Sequence, residues 1–544
     1  MSEPFNSTQQ SAQVLGEATL DNNARVIVVR FVTDQGETEV ISIPSEEFLI
    51  PPTIARILVR SGFPLRNAKP ASSDLCEQVS KGSLSRAVLP EGSGWLPDFS
   101  AYVYGDEILG APSSQVALST EYLKSLKNQE LGISKSAGSA EAWRNAMSGM
   151  PKHSYVVTFA LAVGFAGIMV GALGGRPTIY NLFGETGDGK TVALRATWSI
   201  FGKCDEDDLP NWDASRPGLE RVLRSAADIV VPIDELTFVN DRERAETLGQ
   251  WTYSVGAGRT RTLARSSTGE ARSARLRGSR LILSSGENSL DDTRQIAGKN
   301  RGGGELVRAI DIPSDAGHDN GILRYWPREH TAASYIRSIE DACSQNYGWP
   351  GREFIRYLLR TRTWKEDARR RMKRFDQTVG AKGRFEVRFA SRFNIIYAAG
   401  LAAIRADVVD WDPSEFGHAV GRIYDKALSA LPTRFAERDL VISKLLSFLR
   451  DSKALSAERG TPIDEETYRR TDVFRRDGRL VVKTDVLDSL CPNARVRDEV
   501  IGELARRGQL IRDNRGIATQ QPSIRGTVAG KRPRYYVFRE VLSG

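Results

Sequence analysis

The chain runs to 544 residues, 40% of them hydrophobic and 26% charged, with a net charge of +8. That length and apolar content allow three or four domains with real cores. Its four cysteines, Cys76, Cys204, Cys343 and Cys491, are too far apart for a zinc pattern or a disulfide framework, which excludes a disulfide-stapled scaffold and predicts a reduced, cytoplasmic protein without a structural metal.

The first residues are polar and lack the basic start and apolar centre of a signal peptide, so 1–20 are expected to be disordered. An N-terminal α+β domain is expected over 21–135. Strands at Arg25–Val32 and Thr38–Ile43 flank Asp34-Gln35-Gly36 as a hairpin, a helix follows from Pro52 to Arg60, and short strands fall near Gly94-Trp95 and Tyr102–Tyr104. The run Tyr155–Leu173 is apolar throughout and long enough to cross a bilayer. Its Gly and Ala content and its end about ten residues before the glycine-rich stretch that opens at Gly184 favour a helix buried beneath a sheet, so no stable membrane association is expected.

The most informative segment begins at Thr178. Thr178–Phe183 reads as a buried strand and Val192–Phe201, closed by Gly202, as a helix. Between them Gly184-Glu185-Thr186-Gly187-Asp188-Gly189-Lys190-Thr191 fits G-x-x-x-x-G-K-[ST], the pattern that wraps nucleotide phosphates with backbone N–H groups at a helix N-terminus. Lys190 is expected to reach the β/γ-phosphates and Thr191 to hold Mg²⁺, so ATP and Mg²⁺ are the expected cofactors. A second strand, Ile229–Ile233, ends in Asp234-Glu235. Asp234 is expected to complete the Mg²⁺ shell and Glu235 to polarise the attacking water. Pro232 is odd in a central strand and marks an expected bulge.

Between Arg259 and Arg280 seven arginines (Arg259, Arg261, Arg265, Arg272, Arg275, Arg277, Arg280) stand against one acid, Glu270, in a pattern that fits a basic hairpin. A third strand, Arg280–Leu283, exits through Ser284 and Ser285. Ser285, with Ser284 second, is the expected polar contact to the γ-phosphate or the lytic water. Residues 437–544 hold 22 Lys and Arg against 16 Asp and Glu. There, helices at Glu437–Arg450, from Thr484 and at Arg497–Arg507 precede Gln509–Arg512, a loop with Lys531 and Arg532, and Arg534–Phe538. Helices followed by a basic two-stranded wing predict a winged-helix domain that contacts DNA through Lys531 and Arg532.

These motifs, with Trp198-x-x-Phe201-Gly202, Trp212-Asp213-Ala214-Ser215-x-x-Gly218-Leu219-Glu220 and Ser284-Ser285-Gly286-Glu287, resemble domain-of-unknown-function family 927 over roughly residues 25–400. Those are AAA+ ATPases of phages, plasmids and integrated elements, related to the MCM-like cassette-chromosome helicases. The resemblance implies an α/β fold with an AAA+ P-loop ATPase core at 136–430 between the α+β and winged-helix domains. It implies a DNA-dependent ATPase and helicase or translocase, acting on single-stranded or forked DNA in replication of a mobile genetic element. A homo-oligomeric ring is implied, six subunits being the expected number.

By the same resemblance Ser285 stands at the sensor position, and the arginines Arg259, Arg261, Arg265, Arg272 and Arg275 belong to a DNA-gripping hairpin. Leu306–Ile312 is similar to the segment carrying the trans-acting arginine of MCM proteins, which makes Arg308 the candidate finger and Arg301 the alternative. Val387–Ile396 resembles the helix bearing a second sensor arginine, here Arg388 before Arg392. The competing reading is an initiator or helicase loader in which ATP switches DNA binding and no strand is unwound; a membrane-attached DNA pump is a third.

Overall fold

The computed structural model describes residues 11–20, 24–90, 92–127, 132–133, 135–203, 209–212, 222–223, 226–234, 279–296, 301–315, 320–432, 438, 441–442, 444–446, 448–450, 452–457, 463–491, 494–513, 516, 518–520 and 534–539. The chain divides into two compact units, 1–430 and 431–544.

The first unit opens with β1 (Gln13–Thr19), β2 (Arg25–Val32) and β3 (Thr38–Pro44), an antiparallel sheet in that order. The β2–β3 hairpin forms as expected, with Val28 opposite Ser42. Residues 13–19 are not disordered: they pair with β2, and a register shift between Val14 and Gly16 breaks the alternation that would have marked a strand. Helices α1 (Pro51–Arg60) and α2 (Leu65–Lys81) cover the sheet, their Ile54, Leu58 and Leu75 packing with Ile27, Val29 and Phe31. The strands β4 (Gly94–Trp95), β5 (Ala101–Tyr104) and β6 (Glu107–Gly110) form a second antiparallel sheet. Tyr102 and Tyr104 of β5 donate to the carbonyls of Asp228 (2.7 Å) and Phe201 (2.6 Å), which ties that sheet to the backbone flanking the parallel sheet of the same unit.

The apolar run forms α3 (Tyr155–Val170), with every residue from Val156 to Val170 buried. Ser154 caps it, its hydroxyl accepting from Val157 N at 3.1 Å. It lies under a sheet, where its glycines allow the close approach expected of them. A Cβ on Gly167 would sit 2.5 Å from Val230 N and 2.7 Å from Ile229 C, both backbone atoms that cannot yield. Among the described residues no helix is long and apolar enough to cross a membrane. Gly167→Ala should therefore lower the thermal midpoint by several degrees, since overpacking a rigid core costs about 1–3 kcal/mol. Gly421→Ala, a helical site whose added Cβ meets nothing within 4 Å, should leave it unchanged or slightly raised. Equal thermal midpoints for the two variants would show that α3 is not clamped against the sheet.

The central sheet comprises β7 (Thr178–Phe183), β8 (Val230–Ile233), β9 (Leu281–Gly286) and β10 (Ala309–Pro313), with α4 (Lys190–Ser199) after β7. The four strands are parallel, in the order β8-β9-β7-β10. Parallel strands covered on both faces read as largely apolar runs, as β8 and the first half of β9 do, while β7 and β10 each carry one polar residue within the strand, Asn181 and Asp311. The expected bulge at Pro232 is absent: β8 pairs with β9 in unbroken register. Asp234 N donates away from β9, to Pro210 O at 2.7 Å, and Pro232, two residues earlier, turns its missing donor to the same outer side. Helices α5 (Trp349–Arg360), α6 (Trp364–Val379), α7 (Gly383–Arg405) and α8 (Pro413–Ser429) complete the unit.

In the second unit β11 (Val473–Arg476) and β12 (Arg479–Lys483) form a hairpin, followed by α9 (Thr484–Leu490), α10 (Ala494–Arg506), β13 (Leu510–Ile511) and β14 (Tyr535–Arg539). These four strands run in the order β11-β12-β14-β13 with antiparallel pairings, in a six-stranded sheet where Leu455–Ser456 pairs parallel with β11 and Thr519–Gln520 pairs with β14. Val500, Leu504, Leu487 and Phe538 meet in its core.

Candidate functional site

The glycine-lysine loop lies between β7 and α4, at the carboxyl edge of the parallel sheet. Gly187 (φ +88°) and Gly189 (φ +84°) hold left-handed conformations that a side chain would strain. A Cβ on Gly184 would collide with Ser314 Oγ and reach within 2.5 Å of Asp188 Oδ2. Three contacts fix the loop from outside. Ser314 Oγ donates to Asp188 Oδ2 at 2.9 Å, Ile322 N donates to Asp188 O at 2.9 Å, and the Thr186 hydroxyl donates to the Glu287 carboxylate.

Lys190 is buried at the base of the loop, where its ammonium donates to the carbonyls of Gly184 (3.0 Å) and Glu185 (2.6 Å). Burial pushes its pKa down, and the charges of Asp188, Glu287 and Asp234 oppose that shift. So the Asp234 carboxylate at the end of β8 is within electrostatic reach of the lysine. Between β8 and β7 stands β9. The Ser285 hydroxyl donates to Asp234 Oδ1, while Ser284 Oγ accepts from Trp212 Nε1 at 2.6 Å. The structure thus brings Gly184–Thr191, Asp234 and Ser285 to one edge of the sheet. Glu235, Arg259, Arg261, Arg265, Arg272, Arg275, Lys531 and Arg532 lie outside the described residues.

The arginine candidates are elsewhere. Arg308 immediately precedes β10, and its carbonyl accepts from Ile179 N at 2.8 Å, at the amino end of β7. Because β7 and β10 are parallel, a strand of about 16 Å separates Arg308 from the loop of its own subunit. Arg388 is exposed on α7. It lies near Arg392, which is buried and donates from Nε to Val307 O at 3.0 Å. Burial lowers the pKa of Arg392, and the nearby Arg176, Arg388 and Arg308 lower it further, so these cations share one cluster at the far edge.

Arg301, the alternative finger, is taken up inside its own subunit. Its guanidinium donates to Asp311 Oδ2 at 2.6 Å and to Ala309 O, with its side chain 1% exposed. Asp311 also accepts from Asn181 Nδ2 (2.9 Å) and Leu290 N (2.8 Å), and burial raises its pKa against the pull of Arg301. That network fastens the segment leading to Arg308 onto β7. A buried, paired guanidinium cannot reach a second subunit without abandoning Asp311.

Sequence reasoning gave no role to Glu287, Trp212 or Ser314, which brace the loop and the serine strand. Trp212 and Glu287 stood only as members of the motifs that carry the resemblance, and Ser314, like Glu287, was signalled by position after the carboxyl end of a parallel strand, where ligands bind in such sheets. A cavity of about 320 Å³ beside Ile322, lined also by Tyr155, Arg324, His418, Arg422, Ile423 and Lys426, was equally illegible.

A mixed α/β fold with a parallel sheet, and a phosphate-loop motif at the sheet's carboxyl edge, define the general class. Residues 13–276 match the family model described as "Domain of unknown function (DUF927)", which bears out the resemblance over a shorter stretch than 25–400. Among solved structures the chain is similar to "SCCmec type IV Cch - active helicase", with a TM-score of 0.58 and 15% identity over 98% of this chain and 93% of that one. That similarity shows a shared fold with that helicase. No curated protein matches the chain.

Proposed function

We propose that the protein is an ATP-dependent DNA helicase or translocase of a mobile genetic element, built on a P-loop AAA+ core and working as a homo-oligomeric ring, with six subunits expected. The observation that carries this reading is the split of the candidate site. Gly184–Thr191, Asp234 and Ser285 occupy one edge of the sheet, while Arg308 and Arg388 lie toward the other, about a strand's length from the loop of their own chain, as arginines that serve a neighbouring subunit would.

The residues present fit ATP with Mg²⁺. The left-handed glycines turn the loop so that backbone N–H groups other than those of Gly184 and Asp188, which donate to Gly286 O and Glu185 O, would meet phosphate oxygens, and the Lys190 ammonium needs only to leave two carbonyls to join them. ATP would supply the transferable phosphoryl group and Mg²⁺ the charge that shields it. Thr191 and Asp234 would hold the ion. Glu235 would take the proton of the attacking water, and Ser285, already on Asp234, would keep that carboxylate turned toward the ion. The cavity beside Ile322, with Tyr155 and Ile423 apolar and Arg324 and Lys426 cationic, suits the base and ribose. Helices followed by antiparallel strands in 484–539 support the winged-helix reading of the second unit.

The deciding experiment is strand separation of forked DNA. Arg261→Ala with Arg265→Ala should leave basal ATP hydrolysis intact while DNA stimulation and unwinding fall together. The salt slope of single-strand binding should become shallower by roughly 0.7 for each phosphate no longer neutralised. Parent protein that binds forked DNA and hydrolyses ATP without separating strands would instead be an initiator or loader.

A further inference from the structure

Helices α5 and α6 carry a concentration of positive charge that the nucleotide site does not use. Between Arg352 and Arg374 ten Lys and Arg stand against three acids, Glu353, Glu366 and Asp367. In α6, Lys365, Arg369 and Lys373 recur every fourth residue along one stripe, and Arg370 and Arg374 continue the adjacent one. Successive charges on a stripe are thus about 6 Å apart. The apolar residues Trp364, Ala368 and Phe375 are buried, with Trp364 stacked on Trp95 at 6.2 Å, which leaves Arg369, Arg370, Lys373 and Arg374 exposed.

Neutralisation along this face is sparse. Arg370 and Arg405 share Asp367, and Arg352 and Arg356 share Glu107. Among the described residues no carboxylate pairs with Arg362, Arg369, Lys373 or Arg374. Crowding is felt within the helix: burial lowers the pKa of Lys365 and the charge of Arg369 lowers it further. A helix that is merely solvated intersperses both signs, and keeping like charges one turn apart costs stability unless a polyanion completes the surface.

We propose that this face is a second nucleic-acid contact, a rigid track that takes the phosphate backbone of duplex DNA without reading its sequence. It rests on the function proposed above, because it takes DNA as the partner. Guanidinium forks suit phosphate oxygens, and a regular cationic stripe suits the closely spaced charges of B-form DNA. Single strands are gripped with rows of exposed aromatic rings; Trp364 and Phe375 are buried, and the exposed ring beside the track, Phe99, is covered by the Lys365 ammonium at 3.7 Å. A bilayer surface would call for several exposed apolar side chains beside the cations; no large hydrophobic residue of 352–374 is exposed, and Phe99 beside Lys365 is a single ring.

The test is the triple variant Arg369→Ala, Lys373→Ala, Arg374→Ala, at exposed helical positions where alanine preserves the helix. Duplex binding across a salt series and basal ATP turnover are compared with the parent. A charge-matched control, Arg25→Ala, Lys81→Ala, Lys124→Ala, removes three cations already paired with Glu17, Glu77 and Glu39. The track variant should bind duplex about tenfold or more weakly, with a salt slope shallower by roughly 0.9 for each phosphate no longer neutralised. Basal turnover and the control should stay at the parent's values. An unchanged slope in the track variant, or an equal loss in the control, overturns the track while leaving the helicase reading standing. Parent protein that sediments with vesicles of anionic phospholipid but not with duplex overturns it in favour of a membrane surface. Parent protein that binds neither duplex nor forked DNA removes the function itself.

Discussion

Lys190→Ala is expected to abolish nucleotide binding, and Glu235→Gln to retain binding while turnover falls by about two orders of magnitude or more. The two substitutions act on different steps. Lys190 lies buried in the loop it would complete, so its loss removes the cation facing the phosphates and leaves the carbonyls of Gly184 and Glu185 without that donor. Glu235→Gln keeps the shape of the side chain and removes the proton acceptor. Equilibrium binding of a fluorescent ATP analogue, beside steady-state phosphate release, separates the two effects. Hydrolysis by Glu235→Gln at the parent rate would remove Glu235 from catalysis and leave Asp234 as the acid of that strand to be tested next.

Arg308→Ala alone should cut turnover by about 10³-fold or more while nucleotide affinity changes little, the effect expected when a guanidinium meets charge that builds only in transfer. Mixed with Lys190→Ala, it should regain part of the activity. The reasoning is geometric: Arg308 precedes β10 and the loop follows β7, so a subunit with a damaged finger keeps an intact loop and one with a damaged loop keeps an intact finger. Hybrid interfaces then pair the two intact halves. Phosphate release measured across a series of mixing ratios should pass through a maximum. A strictly additive series of inactive mixtures would mean that Arg308 acts within its own subunit or serves the fold alone.

Much of the site was legible because its signals are local. The pattern from Gly184 to Thr191 needs only consecutive residues, and the apolar runs before it and before Asp234 announce buried parallel strands by composition. The hairpin at 25–43 was equally plain, its β-branched, apolar strands flanking a turn that contains glycine. By contrast β1 was hidden by its shift at Gly16, and α2 by Pro70, which reads as a helix breaker yet sits within Leu65–Lys81. The alternatives for the finger could not be separated by sequence, because Arg301 and Arg308 have the same chemistry and similar neighbours. Only the pairing with Asp311 shows that Arg301 is committed to its own core.

By itself, then, the sequence determined the glycine-lysine motif, the strand before it and the helix after it, the acidic end of β8 and the apolar helix beneath. These follow from short-range periodicity and from backbone demands that single residues meet. Tertiary structure decided which edge of the sheet each candidate occupies. It placed β9 between β8 and β7 so that Ser285 meets Asp234, put Pro232 where a missing donor costs nothing, and sent Arg308 and Arg388 to the edge opposite the loop. The physical reason is that periodicity records how a residue relates to its own strand or helix, whereas position in a sheet depends on crossovers and pairings between segments tens of residues apart.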